Sequence, residues 1–150
     1  MFRGSFVHLI DAKGRVSIPA RYREVVVSSG RAELVVTRCP KSPPPRLEAY
    51  PIGAWEKLDE QLRDRAGRFD GDVMLFEDFF VGNAQSCEID SQGRILIPTA
   101  LREWAGLEKE VVFSGARDRF RIWNREAWEQ EQQVAALKIQ SDEFLSKLNL

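Results

Sequence analysis

The stretch IDAKGRVSIPARYRE at residues 10–24 returns as IDSQGRILIPTALRE at residues 89–103, displaced by 79 positions. Eight of the fifteen positions are identical: Ile10/Ile89, Asp11/Asp90, Gly14/Gly93, Arg15/Arg94, Ile18/Ile97, Pro19/Pro98, Arg23/Arg102 and Glu24/Glu103. Unrelated segments would share about one at average residue usage. The likeness continues downstream with small gaps. ELVV (33–36) resembles EVVF (110–113), and LEAYPIGAWE (47–56) resembles FRIWNREAWE (120–129). A chain written twice predicts an architecture of two related units.

Each copy reads alike in local structure. Phe6 to Ile10 and Arg15 to Ile18 are β-rich runs separated by Asp-x-x-Gly, a hairpin turn in which Asp bonds forward to the backbone and Gly supplies a positive φ. Proline follows at once, suited to the first turn of a helix because its missing N–H has no partner to lose there. Helices are expected from Ala20 to Val27 and from Thr99 to Ala105, stopping at Ser28-Ser29-Gly30 and at Gly106. Two strands follow in each copy, near 33–37 with 47–50 and near 110–114 with 119–123. A closing helix is predicted over Gly53 to Ala66, with Trp55, Leu58 and Leu62 on one stripe, and another over Arg125 to about Lys147.

Between the copies, Gly67 to Gly71 reads as a linker, and Val73 to Val81 as a short buried helix, with a buried strand as the alternative. CPKSPPPR (39–46) reads as a stiff exposed loop. Neither copy holds enough apolar residues to stand alone, so the two are expected to interleave their hairpins around one core with pseudo-two-fold symmetry. The expected fold is α+β: units 1–83 and 84–150 in one compact domain with flanking helices.

At 150 residues and 43% hydrophobic content, the chain is long enough to bury a sizeable core. No apolar run approaches the roughly 18 residues of a membrane span, and MFRGSFVHLI lacks a long signal-peptide core, so a cytoplasmic protein is expected. Cys39 and Cys87 read as free thiols. With His8 alone beside them they are too few for a structural zinc site, and no metal or cofactor is expected. His8 reads as a strand residue, and Trp55, Trp104, Trp123 and Trp128 as core or interface aromatics.

The net charge of −1 conceals a polarity. Residues 1–46 carry nine basic side chains against three acidic, residues 47–90 four against eleven, and residues 91–150 nine of each. A basic first segment fits a polyanion-binding face, or a basic surface that meets an acidic one in another subunit.

In Asp-x-x-Gly-Arg-[Val/Ile]-x-Ile-Pro, Asp11, Gly14 and Pro19, like Asp90, Gly93 and Pro98, build the turn and its exit. Val16 and Ile18, like Ile95 and Ile97, face inward. No turn or core rule requires Arg15 or Arg94. An isolated arginine here would be a solvated residue paired with its own Asp, but its repetition beside a basic segment points to anion recognition. Arg3, Lys13, Arg15, Arg21 and Arg23 fall within 21 residues. A hairpin ribbon can enter a DNA major groove while flanking cations hold phosphates. Arg15 is the candidate for a base edge, because its planar fork grips guanine in two places. Lys13 and Arg3 suit phosphates, with Arg21 and Arg23 also in reach, and Arg94 is a weaker second contact. The second copy has Gln92 and Ala100 where the first has Lys13 and Arg21.

MFRGSFVHLIDAKGRVSIPARYRE, VGNAQSCEIDSQGRILIPTALREWAGL and RIWNREAWE together resemble the MraZ family of bacterial transcriptional regulators over nearly the whole chain. The resemblance implies two AbrB-like (SpoVT-like) swapped-hairpin β-barrel units per chain, assembled into a closed homo-oligomeric ring of octamer type. It implies binding of double-stranded DNA with short direct repeats upstream of the division and cell-wall gene cluster, chiefly as a repressor in the nucleoid. Carried over by position, its Asp-x-x-x-Arg pairs fall on Asp11 with Arg15 and Asp90 with Arg94, the first being the principal contact. Two departures stand out. Glu77 and Asp78 occupy a segment where related sequences carry arginines, and CPKSPPPR replaces a shorter polar linker.

Two other readings make different demands. An aspartic dyad of Asp11 and Asp90 needs one strongly raised pKa. A structural or antitoxin-like protein-binding module expects a solvated, partner-wrapping tail, whereas Trp128, Leu137, Ile139, Phe144, Leu145 and Leu148 predict a C-terminal segment packed on the domain or on a neighbouring subunit.

Overall fold

Pro19 and Pro98 occupy matching N-cap positions, each turning a three-residue strand into a helix. The computed structural model describes residues 1–41, 43–65 and 70–150. In chain order these form β1 (Ser5–Leu9), β2 (Arg15–Ser17), α1 (Ala20–Ser28), β3 (Glu33–Arg38), β4 (Leu47–Pro51), α2 (Ile52–Arg63) and α3 (Gly71–Phe80). There follow β5 (Gln85–Glu88), β6 (Arg94–Leu96), α4 (Thr99–Trp104), β7 (Glu110–Gly115), β8 (Phe120–Asn124), α5 (Arg125–Ile139) and α6 (Asp142–Lys147).

The strands make a mixed α+β arrangement with a six-stranded antiparallel sheet, in the order β1-β7-β8-β4-β3-β5, and a separate β2-β6 ribbon. The predicted hairpin arms scarcely pair with each other: Ile10 and Val16 form one isolated bridge. β1 pairs instead with β7, placing Phe6 opposite Phe113, and β5 pairs with β3, placing Cys87 opposite Leu34. Exchanging the two halves leaves this scheme unchanged, since β1–β7 becomes β5–β3 and both β2–β6 and β4–β8 map onto themselves. The strands of the two halves therefore interleave. No closed barrel forms among the described residues. β1 and β5 end the large sheet, and β2 and β6, at three residues each, are too short to continue its ladders.

Alternation along the strands fixes what is buried. Val16, Ile18, Ile95 and Ile97 are at most 2% exposed and face the sheet. They meet Leu34, Val36, Leu47, Ile122 and an aromatic cluster in which Phe2 and Tyr22 pack on Phe120 at 5.1 and 5.0 Å. Burying each such side chain is worth roughly 1.5–3 kcal/mol before entropy is counted. Opposite faces of β4 behave differently. Leu47 and Ala49 join that core, whereas Glu48 and Tyr50 lie on the other side with Trp55 and Phe80, whose rings stack at 5.4 Å.

The predicted run from Val73 is helical as far as Phe80, in a helix capped by the Asp70 carboxylate and followed by Val81 as C-cap, but only Phe80 is buried, and Met74 and Leu75 are exposed. The helix is thus half of what its composition suggests, because one face alone reaches the sheet. The predicted C-terminal helix is two: α5 ends at Ile139 with Gln140 as its C-cap, and the Ser141 hydroxyl accepts from the Phe144 N–H to cap α6. Trp128, Phe144 and Leu145 are half-buried, while Leu137, Ile139 and Leu148 are exposed in the single chain. Ala66, which ends the predicted second helix, and residues 67–69 of the predicted linker lie outside the described residues, as does Ser42 of the proline-rich loop. That loop closes through the Cys39 N–H on the Arg46 carbonyl. Cys39 and Arg46 are buried at its two ends, the Arg46 guanidinium 4.5 Å from the Trp123 ring centroid, while Pro40, Lys41, Pro43 and Pro45 between them are exposed as expected.

Candidate nucleic-acid interface

Both Asp-x-x-Gly turns close in the same way. In the first, Asp11 Oδ1 accepts from the N–H groups of Lys13 and Arg15, both at 2.9 Å, and Oδ2 pairs with Arg15 Nε at 2.8 Å. In the second, Asp90 Oδ1 accepts from Gln92 and Arg94, again at 2.9 Å, and Oδ2 meets Arg94 Nε at 3.2 Å. Gly14 and Gly93 carry φ of +92° and +78°, the left-handed conformation these turns require. The N–H bond from Arg15, followed by its side chain and Lys13, holds the Asp11 carboxyl down at about 2, against partial desolvation. Asp90 is lowered as well, first by the N–H of Arg94. Two depressed carboxyls are the opposite of a dyad sharing a proton.

The ribbon sets where the arginines point. Arg15 stands opposite Leu96, Val16 opposite Ile95 and Ser17 opposite Arg94. Val16 and Ile95 are buried, so Arg15, Ser17, Arg94 and Leu96 share the outer face, with the two arginines diagonal across it. Their side chains are 39% and 30% exposed, held by the aspartates yet open on one side. Lys13 is exposed at the first turn, and Arg21 is exposed on α1. Arg3 is exposed too, on the segment that Phe2 ties to Arg117 by reciprocal backbone bonds.

Arg23 is placed differently from the other basic candidates. A Cβ built on Gly93 would fall on its guanidinium, so Arg23 of the first half covers the turn of the second. Arg102 does the same in reverse. Its Nε lies 2.7 Å from where a Gly14 Cβ would be, Nη1 donates to the Ala12 carbonyl at 3.2 Å, and Nη2 to Thr99 Oγ1 at 3.1 Å. Reasoning from sequence overlooked Arg102, although its identity with Arg23 in the repeat is the same signal that singled out Arg15 and Arg94. It also overlooked Glu48, which is 3% exposed, accepts from Arg119 and Arg121 at 3.0 and 3.1 Å, and takes the Tyr50 hydroxyl at 2.7 Å. Those partners lie 71 and 73 residues away, beyond any local pattern.

Other features follow their expected chemistry. Cys39 and Cys87 are buried free thiols, and burial pushes Cys87 up to about 11. His8 lies in β1 with its ring 5.4 Å from Phe113. Arg38 sits 5.5 and 5.1 Å from the ring centroids of Phe79 and Trp104. Glu77 and Asp78 lie exposed on α3. Among the described residues no helix is long and apolar enough to cross a membrane.

Residues 1–77 and 80–145 match the family described as "MraZ protein, putative antitoxin-like". The chain belongs to the MraZ family. Relatives named "Transcriptional regulator MraZ" include that of Desulforapulum autotrophicum, 38% identical over 95% of this chain and 93% of its own length. Those of Heliobacterium modesticaldum and Lactiplantibacillus plantarum are each 42% identical over 91% of this chain, and over 90% and 92% of their own lengths. The name borne by these MraZ relatives denotes a non-enzymatic role. A solution structure of PHS018 from Pyrococcus horikoshii aligns at 13% identity, covering 81% of this chain and 88% of its own with a TM-score of 0.36, too distant to bear on the MraZ fold.

Proposed function

We propose that this chain is a sequence-specific, DNA-binding transcriptional regulator, chiefly a repressor, with no catalytic activity and no cofactor. The observation that carries the reading is the outer face of the β2–β6 ribbon, where Arg15 and Arg94 stand diagonal above the buried Val16–Ile95 pair. A two-stranded ribbon fits the major groove of B-DNA, and an arginine fork on its outer face reaches guanine O6 and N7. Arg15 is the base-reading residue, with Lys13, Arg3 and Arg21 on phosphates. Arg94 contributes less, flanked by Gln92 and Ala100 in place of Lys13 and Arg21. Arg23 adds positive charge to this face from its place over Gly93.

The pairing scheme supports two AbrB-like units, 1–83 and 84–150, each lending strands to the other. The exposed apolar residues of α3 and α5, Met74, Leu75, Val134 and Leu137, suit contacts between subunits of a closed homo-oligomeric ring of octamer type. Such a ring presents one β2–β6 ribbon per subunit to short direct repeats, each weak contact raising the effective concentration of the next. The repeats are those upstream of the division and cell-wall gene cluster, and the protein acts in the cytoplasm at the nucleoid. An antitoxin-like module, the alternative in the family's description, would instead place a protein partner on α5 and α6.

A footprint on the DNA upstream of the protein's own gene, with a salt titration, tests the reading. Protection of spaced repeats is expected, with log K falling against log salt by about 0.9 per phosphate neutralised. A slope near zero would overturn it.

A further inference from the structure

We infer that Arg102 is a positioning residue for the first Asp-x-x-Gly turn: the second half of the chain fixes the turn that presents Arg15. The inference rests on the proposed role of Arg15 in reading DNA and adds to it a residue that does not itself touch the duplex. Three contacts converge on one turn. Arg102 Nη1 donates to the Ala12 carbonyl, and its Nε lies flat over Gly14, enclosed without a hydrogen-bond partner among the described residues. The Gly14 carbonyl in turn accepts from the Ile97 N–H at 2.9 Å, five residues before Arg102 in the same strand-to-helix corner. Nη2 is anchored by Thr99 Oγ1 at the start of α4, so the guanidinium is held at both ends.

This arrangement needs the particular residues present. A lysine carries its three donors on one tetrahedral nitrogen and has neither the two separated Nη donors nor the planar surface that lies over the turn. A side chain at position 14 would occupy the guanidinium's place, since its Cβ would come within 2.9 Å of both Arg102 Cζ and the Ile97 carbonyl. The turn so held is the one whose Lys13 and Arg15 N–H groups bind the Asp11 carboxylate, which in turn orients the Arg15 fork. A recognition side chain is only as well placed as the groups that support it. The mirror contact, Arg23 over Gly93, supports the turn of Arg94, so each half braces the reading element of the other.

The test uses the full-length protein with Arg102→Lys, Arg102→Gln and the milder Thr99→Val. Probes are a duplex recovered by the wild type from a random-sequence pool and a scrambled duplex of equal length. Amide exchange of Gly14 and Arg15 is measured without DNA. All three variants are expected to keep the wild-type oligomeric state, and both Arg102 variants to bind the selected duplex about tenfold more weakly, within the range set by one well-placed base contact. Binding to the scrambled duplex and the salt slope should stay unchanged, and exchange at Gly14 and Arg15 should be several-fold faster, as expected for one lost hydrogen bond. Thr99→Val should move both readouts the same way by less, and it carries the test if the Arg102 variants do not fold. Wild-type binding and exchange in Arg102→Lys would overturn the inference. So would a salt slope lower by about one, which would make Arg102 a phosphate contact. If Arg15→Ala leaves binding intact, the proposed role of Arg15 has failed, and the exchange rates alone decide whether Arg102 braces the turn.

Discussion

Arg102, from the second copy of the repeat, lies across Gly14 in the first and donates to the Ala12 carbonyl at 3.2 Å, while Arg23 from the first copy lies across Gly93 in the second. The two turns are therefore not independent loops. Each is closed internally by its aspartate and externally by an arginine from the other half, which ties turn geometry to the integrity of the whole fold.

Gly14→Ala is expected to destabilise by about 1–3 kcal/mol, because it sets an L-residue at φ +92° and drives a Cβ into Arg102 and the Ile97 carbonyl. Gly30→Ala is the control. Its φ is +111° but nothing lies within 4 Å of a Cβ, so only the backbone penalty remains. Urea unfolding of the two variants should show the larger loss at position 14.

Arg15→Ala should abolish sequence-specific binding while leaving assembly intact, and Arg94→Ala should cost less. Losing a bidentate base contact costs about 1–3 kcal/mol per site. Gel shifts at fixed salt, read beside size-exclusion profiles, check both halves of this expectation. Wild-type affinity in Arg15→Ala would rule out the Arg15 face of the β2–β6 ribbon as the reading element.

Phe120 is fully buried against Phe2, Tyr22 and Phe113. Phe120→Ala is expected to cost about 3–5 kcal/mol, the usual price of an aromatic cavity. Leu75→Ala, at a position 69% exposed, should change monomer stability by less than about 0.5 kcal/mol. Equal losses would mean that Leu75 is covered, and a concentration-dependent midpoint would point to another subunit as the cover.

Glu48→Gln leaves the Arg119 and Arg121 guanidiniums facing a neutral amide in a mostly closed site. Removing one partner of a buried pair costs several kcal/mol. Both arginines are about a third exposed, so solvent reduces the loss to about 1–3 kcal/mol. Chemical denaturation should show it, with little change in the salt slope of DNA binding, since Glu48 lies on β4 and not on the ribbon.

The turn aspartates set an acid limb. Asp11 has its carboxyl lowered from 3.8 to about 2, so it binds protons more readily in the unfolded chain than in the folded one. Its stabilising contribution is complete above pH 3.8 and fades as pH falls towards 2. Asp11→Asn should therefore flatten stability against pH between about 4 and 2. An unchanged profile in that window would show that the turn bonds do not hold the carboxylate charged.

The local parts of the fold were legible because their causes are local. Asp-x-x-Gly-Arg followed by Pro specifies turn, strand and helix start within ten residues, and the two-residue period of Val16 and Ile18, repeated in Ile95 and Ile97, marked four of the most buried side chains. The strand partners were not legible. Adjacent arms Phe6–Ile10 and Arg15–Ile18 read as a hairpin, yet β2 takes β6 and β1 takes β7. No pattern within either arm tells one antiparallel partner from another. For α3, composition counted apolar residues without knowing that a single face would meet the sheet, so Met74 and Leu75 were expected inside.

The sequence by itself determined that two similar turns exist and which residues build them, and it singled out Arg15 and Arg94 as arginines that no turn or core rule requires. Tertiary structure alone decided that these arginines share the outer face of one ribbon, that Arg102 and Arg23 brace the opposite turns, and that Glu48 meets two arginines more than seventy residues away. The physical reason is the same in each case. Turn and strand preferences act over a few residues, whereas pairing across the repeat is selected by the burial of Val16, Ile18, Ile95 and Ile97 in one shared core to which both copies contribute.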